Sequence, residues 1–182
     1  MYFDRKKYVP IFRFGPNVKN INPIPYFLTY IFVFIFIVYK FPNDFIAIIL
    51  SGIVYLLVHE SIHWLVHWFL TGEKAKVGVC PIGPYVYTEG YDTRNIAFIR
   101  ALAPCSFFFI TILLSAFVLP ATIYVGLFGL FVCNLAGSFN DIQFGYFLLK
   151  YPKEAIVGDD GEMNYVQLPR SLLKKYKQFR PI

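Results

Sequence analysis

The 49 residues from Ala101 to Leu149, ALAPCSFFFITILLSAFVLPATIYVGLFGLFVCNLAGSFNDIQFGYFLL, carry a single formal charge, Asp141. A helix needs about 20 apolar residues to cross a bilayer, so this stretch is long enough for two crossings. Leu119-Pro120-Ala121 is the place to divide it, because proline cannot continue a helix interior. Working outward, Phe45 to Gly72 is 28 residues with Glu60 as the only charge, and 20 uncharged residues separate Lys19 from Lys40. These stretches predict an all-α membrane protein with four transmembrane helices, near residues 22–39, 45–70, 97–118 and 121–149.

Composition points the same way. The chain is 57% hydrophobic, 20% aromatic and 15% charged, against about 45–50% apolar and 25% charged in an ordinary soluble domain. The net charge of +6 does not indicate nucleic acid, because the basic residues are sorted by the spans. Sixteen of the 17 Lys and Arg fall before the first span, from Lys74 to Arg100 between the second span and the start of the third, or after the fourth; Lys40 alone falls on the other side. Basic flanks favour the cytoplasm, so both termini are expected there. The expected location is the plasma membrane of a prokaryote, crossed several times, with the bilayer as a partner and no nucleic acid.

The segment Met1 to Lys19 is long and basic, and no small-residue cleavage site follows the apolar run, so the first span reads as retained. Cys80, Cys105 and Cys133 form no CxxC pair and no disulfide framework. Two domains are expected: residues 1–150 as the transmembrane unit and 151–182 as a cytoplasmic tail. Small β-hairpins are expected in the loop Val77–Tyr91, around Pro81-Ile82-Gly83-Pro84, and in the tail, where 155–157 and 165–168 flank Gly158-Asp159-Asp160-Gly161. A basic amphipathic helix is expected at 171–179, suited to anionic headgroups.

The second span contains His59-Glu60-Ser61-Ile62-His63, the HExxH pattern, with a third histidine at His67. Residues i and i+4 share a helix face, so two imidazoles can meet one metal ion while the adjacent glutamate serves as a base. With three His and five Glu in the chain, chance would produce the pattern on the order of once in a thousand such sequences. Each charge in a span costs about 2.5–3.5 kcal/mol by insertion scales, and a metal offsets that cost. A Glu–His bridge between helices is the plain alternative.

A catalytic zinc takes three protein ligands and a water. His67 lies about 6 Å beyond His63 along the helix, with no glycine between them to turn the chain back, and reads as a helix-contact residue. Asp141 is the stronger candidate. It lies nine residues inside Lys150 and His63 ten inside Glu73, and the second and fourth spans run in the same direction. Asn134, Gly137, Ser138 and Asp141 share one helix face by the i, i+3, i+4, i+7 rule. The alternative for Asp141 is a structural pair with Arg100 or Lys150.

His59-Glu60-Ser61-Ile62-His63 in an early span and Asn134-Leu-Ala-Gly-Ser-Phe-Asn-Asp141 in a later one resemble the site-2 protease group of intramembrane zinc metalloproteases. From about Ile53 to Tyr165, including Arg100-Ala-Leu-Ala-Pro104 and Asp159-Asp160-Gly161, the chain more closely resembles a family of small membrane zincin peptidases. The resemblance implies zinc on His59, His63 and Asp141, Glu60 as catalytic base, and substrate contact at Asn134. Gly137 stands where the site-2 pattern has proline, and Asn140-Asp141-Ile142 replaces its Leu-Asp-Gly. The expected activity is zinc-dependent hydrolysis of membrane-embedded or juxtamembrane peptide substrates, with the loop Val77–Tyr91 holding substrate by strand addition. A non-enzymatic metal-binding scaffold or metal-handling protein is the alternative. A transporter would show interrupted helices, whereas no Gly or Pro occurs from Ile53 to Leu70.

Overall fold

The computed structural model of the chain describes residues 7–14, 38–80, 83–115, 121–159 and 164–176, with positions 28, 31, 32, 35 and 36 between the first two segments. The HExxH stretch lies in helix α1, Phe45–Thr71, which at 1.5 Å per residue is about 40 Å long. It ends where Gly72 takes φ 74° and its N–H caps the Trp68 carbonyl, a left-handed conformation that glycine adopts without Cβ strain. Strands β1 (Tyr8–Phe14), β2 (Lys76–Cys80), β3 (Gly83–Tyr87) and β4 (Tyr91–Thr93) lie before the second helix. That helix, α2 (Arg94–Leu102), starts at Thr93, whose hydroxyl accepts from the Ile96 N–H. A 3-10 turn, Ala103–Cys105, separates it from α3, Ser106–Ser115. Helix α4 (Ala121–Leu149), strands β5 (Ile156–Asp159) and β6 (Asn164–Pro169) and the short α5 (Arg170–Leu173) follow.

The strands form two antiparallel sheets. In the four-stranded one, in the order β1-β6-β5-β4, Tyr8 pairs with Pro169 and Phe14 with Asn164, with a bulge between Pro10 and Phe12; Pro10 has no N–H for the ladder. Neighbouring strands of this sheet thus join segments 150 to 161 residues apart in sequence (β1 with β6) and 63 to 67 residues apart (β4 with β5). The sheet packs on α2 and the end of α4: Ala97, Leu148, Ala155, Val166 and Leu168 are all fully buried in this core. Truncating Leu148 to alanine there would cost about 2–5 kcal/mol. The second sheet is the β2–β3 hairpin, in which Gly78 faces Tyr85. A Cβ at Gly78 would overlap the tyrosine ring, so glycine is what lets the ring lie across the strand. Lys76 and Glu89 pair at 2.6 Å near its base. This hydrogen bond lifts the lysine above its ordinary pKa, but both groups are solvated, so it adds little stability.

Helices α1 and α4 approach closely where one side supplies glycine. Gly129 lies against the Ser51 hydroxyl and Gly137 against the Tyr55 hydroxyl, with no room for a Cβ at either. The contacts advance in the same direction along both helices, so the helices are parallel. Small residues at such crossings allow backbones to approach. The inward face of α1 is polar, with Ser51, Tyr55, His59 and His67 buried, while Ile46, Leu57 and Phe69 point outward, Phe69 at 87% exposure.

The all-α, four-span architecture expected from hydropathy is corrected by this structure. Among the described residues two helices are long and apolar enough to cross a membrane, Ile46–Thr71 and Val125–Leu149, and the rest of the fold includes two sheets. The expected span at 97–118 is broken by Pro104, and its first part, α2, is buried beneath the four-stranded sheet with Arg100 in ion pairs. Hydropathy misread this segment because Ala97, Ala101 and Phe98 pack against strands, and burial in a sheet core selects the same residue types as lipid does. The expected span at 22–39 falls largely outside the described residues. Of the expected helix at 171–179, the structure has Arg170–Leu173 as helix, and 177–179 lie outside the described residues.

Candidate metal centre

Spacing on α1 puts His59 and His63 on one face, and the parallel α4 brings Asp141 against them. One ligand atom from each of the three lies within 4.8 Å of the others. Asp141 Oδ2 is 3.0 Å from His59 Nε2 and 3.6 Å from His63 Nε2. It is buried and takes part in no well-formed hydrogen bond. An orphaned carboxylate oxygen facing two imidazole nitrogens calls for a cation. Tetrahedral zinc with ligands at about 2.1 Å holds them about 3.4 Å apart, close to these separations, so the residues present fit the ion.

Each histidine is also held from behind. His63 Nδ1 lies 3.0 Å from the Arg100 carbonyl oxygen, which can only accept, so a proton sits on Nδ1 and Nε2, on the side of Asp141, is the nitrogen that would bind a metal. His59 Nδ1 is 3.2 Å from the Tyr55 hydroxyl. Metal-binding histidines are oriented in this way by a hydrogen bond to the other ring nitrogen. Neither Tyr55 nor Arg100 was singled out for this role from sequence. The first could have been found as the residue one turn before His59; a backbone carbonyl leaves no sequence signal.

Glu60 is one residue after His59 and within electrostatic reach of His59, His63 and Asp141. Its Oε2 accepts a hydrogen bond from the Val86 N–H at 2.9 Å. That N–H therefore points away from β2, and the outer edge of β3 lies on the glutamate. Val86 lies in the loop Val77–Tyr91 expected as a hairpin that holds substrate, and no sequence signal marks its N–H as the partner of Glu60.

The other residues considered from sequence sit elsewhere. Asn134 is fully buried; its amide donates to the Pro104 carbonyl at 3.4 Å and accepts from the Ser138 hydroxyl, tying α4 to the 3-10 turn. His67 faces Asp92 at 3.7 Å and Thr71 at 3.3 Å, outside the three-residue group. Arg100, weighed as a partner for Asp141, instead pairs with Asp92 at 2.9 Å and Asp159 at 3.8 Å and donates to Thr88. The Lys150 ammonium lies over the Tyr146 and Phe147 rings.

No curated protein and no solved structure matches the chain. One family model does, over residues 52–156, which takes in α1 from Gly52 through the first residue of β5 and so includes His59, Glu60, His63 and Asp141. That is well over half of the 182 residues, and the chain belongs to the family described as "Putative zincin peptidase".

Proposed function

We propose that this protein is a membrane-embedded zinc metalloendopeptidase of the site-2 protease type, cleaving membrane proteins or peptides within or beside the bilayer. The observation that carries the reading is the convergence of His59, His63 and the orphaned Asp141 oxygen beside a glutamate that is not one of the three. These three residues would hold the ion. Zinc, when bound, polarises the scissile carbonyl and makes a water nucleophilic near neutral pH. Glu60 takes the proton from the attacking water and returns it to the leaving amide nitrogen, so that water adds across the C–N bond. The Val86 N–H holds that carboxylate in place until substrate arrives.

The placement of β3 supports strand addition, because its outer edge lies at Glu60 and would align an extended substrate with the metal. The distribution of side chains supports a bilayer setting: α1 buries Ser51, Tyr55, His59 and His67 and exposes Ile46, Leu57 and Phe69, the reverse of a soluble helix. With α1 and α4 both crossing, the protein would be a multi-pass integral membrane protein, and a prokaryotic plasma membrane suits its basic flanks. Asn134, one turn before Ser138, would reach substrate only after leaving the Pro104 carbonyl.

The test is metal analysis of the purified protein together with cleavage of a model transmembrane peptide after reconstitution. About one zinc per chain and cleavage that a chelator abolishes are expected. Protein that is folded but neither binds zinc nor cleaves would reject the reading.

A further inference from the structure

Tyr55 is a tyrosine on the buried face of α1, and the proposed chemistry does not use it. It is 5% exposed, its ring is 5.2 Å from that of His59, and its hydroxyl lies 3.2 Å from His59 Nδ1. The hydroxyl rests on the backbone of α4 at Gly137, where any Cβ would occupy its place. Two independent features therefore converge on one oxygen: a glycine that makes room for it and a histidine nitrogen that bonds to it. A phenylalanine would fill the same apolar contacts, so packing between α1 and α4 does not account for the hydroxyl.

We propose that Tyr55 is a positioning residue for the metal centre, its hydroxyl oxygen accepting a hydrogen bond from the His59 Nδ1–H in the metal-bound form and so aiming Nε2 at the ion. The inference rests on the metallopeptidase reading above and deepens it. The hydroxyl fixes both the rotation of the imidazole ring and which nitrogen carries the proton. On His63 the Arg100 carbonyl serves the same purpose, so each imidazole is oriented by a different oxygen. Gly137 is the matching requirement on α4: it seats the hydroxyl that orients one of the ligands.

The experiment compares wild type, Tyr55→Phe, Gly137→Ala and Ser51→Ala by zinc affinity, using competition with a chelator, and by the visible spectrum after cobalt substitution. Ser51 makes the equivalent contact with Gly129 two turns away from His59 and controls for helix packing. Tyr55→Phe should weaken zinc binding by about 10–100-fold and alter the cobalt spectrum, with the circular dichroism of the metal-free form unchanged. Ser51→Ala should match wild type in both. If Tyr55→Phe loses its helical signal, Gly137→Ala, which displaces the hydroxyl without removing it, should show the same weakening. Zinc affinity within twofold of wild type in either folded variant overturns the inference alone. A wild-type protein that binds no zinc overturns the metallopeptidase reading as well, so the two failures are distinguishable.

Discussion

The Arg100 carbonyl oxygen meets His63 Nδ1 at 3.0 Å, while the guanidinium of the same residue is anchored by Asp92 at 2.9 Å and by Asp159 at 3.8 Å. Backbone and side chain of one buried residue thus join the metal centre to strands β4 and β5. The four-stranded sheet, which contains both the β1 segment and the chain after α4, is mechanically part of the site.

Breaking that anchor should be expensive. Arg100→Met removes the guanidinium that pairs with buried Asp92 at 2.9 Å, a change worth about 3–5 kcal/mol. For a chain of this size the thermal midpoint should fall by on the order of 10 °C. Adding Asp92→Asn to Arg100→Met should recover part of the loss in the same measurement. Independent, additive losses would show that the ion pair is not the anchor.

Glu60→Gln separates base from ligand. The variant should retain about one zinc per chain and lose peptidase activity by at least about 10²-fold, the lower end for general base catalysis. The amide can still accept from the Val86 N–H, so the hairpin should stay in place. Turnover at the wild-type rate would remove Glu60 from the mechanism.

Asp141→Ala should lower zinc affinity and activity together if the carboxylate supplies one of three ligands, as proposed. His67→Ala should leave zinc stoichiometry at the wild-type level, since His67 faces Asp92 and Thr71 and not the metal group. The reverse pattern, in which His67→Ala releases the metal and Asp141→Ala does not, would exchange the two assignments.

A metal held at this site would also add to stability. Zinc at about 100 times its dissociation constant should stabilise the folded protein by about 2.7 kcal/mol over the metal-free form. The thermal midpoint should fall on chelation and return with added zinc, and the gain should vanish in Asp141→Ala. A midpoint indifferent to zinc in the wild type would mean that the three residues do not bind it.

Gly129→Ala tests the helix crossing away from the ligands. The added methyl meets the Ser51 hydroxyl, and overpacking of this kind costs about 1–3 kcal/mol. Unfolding should show that loss, and Ser51→Ala in the same chain should relieve part of it.

The grouping of His59, His63 and Asp141 was legible in the sequence because its information is local or nearly so. HExxH places two histidines on one face through the 3.6-residue helix period alone, and Asp141 stands out as the single charge in a 49-residue stretch. The four-stranded sheet was not legible. Its ladder joins residues 8–14 to 164–169 and 91–93 to 156–158, and no local pattern records which distant strand will be the neighbour. The third apolar stretch was misread for a related reason: Ala97 and Ala101 are buried by strands, and hydropathy registers burial without saying what does the burying. Residue type and spacing determined where a metal could be held. Only the tertiary structure decided what orients it, because the Tyr55 hydroxyl, the Arg100 carbonyl and the Val86 N–H act by position, and two of the three are backbone groups that every residue possesses.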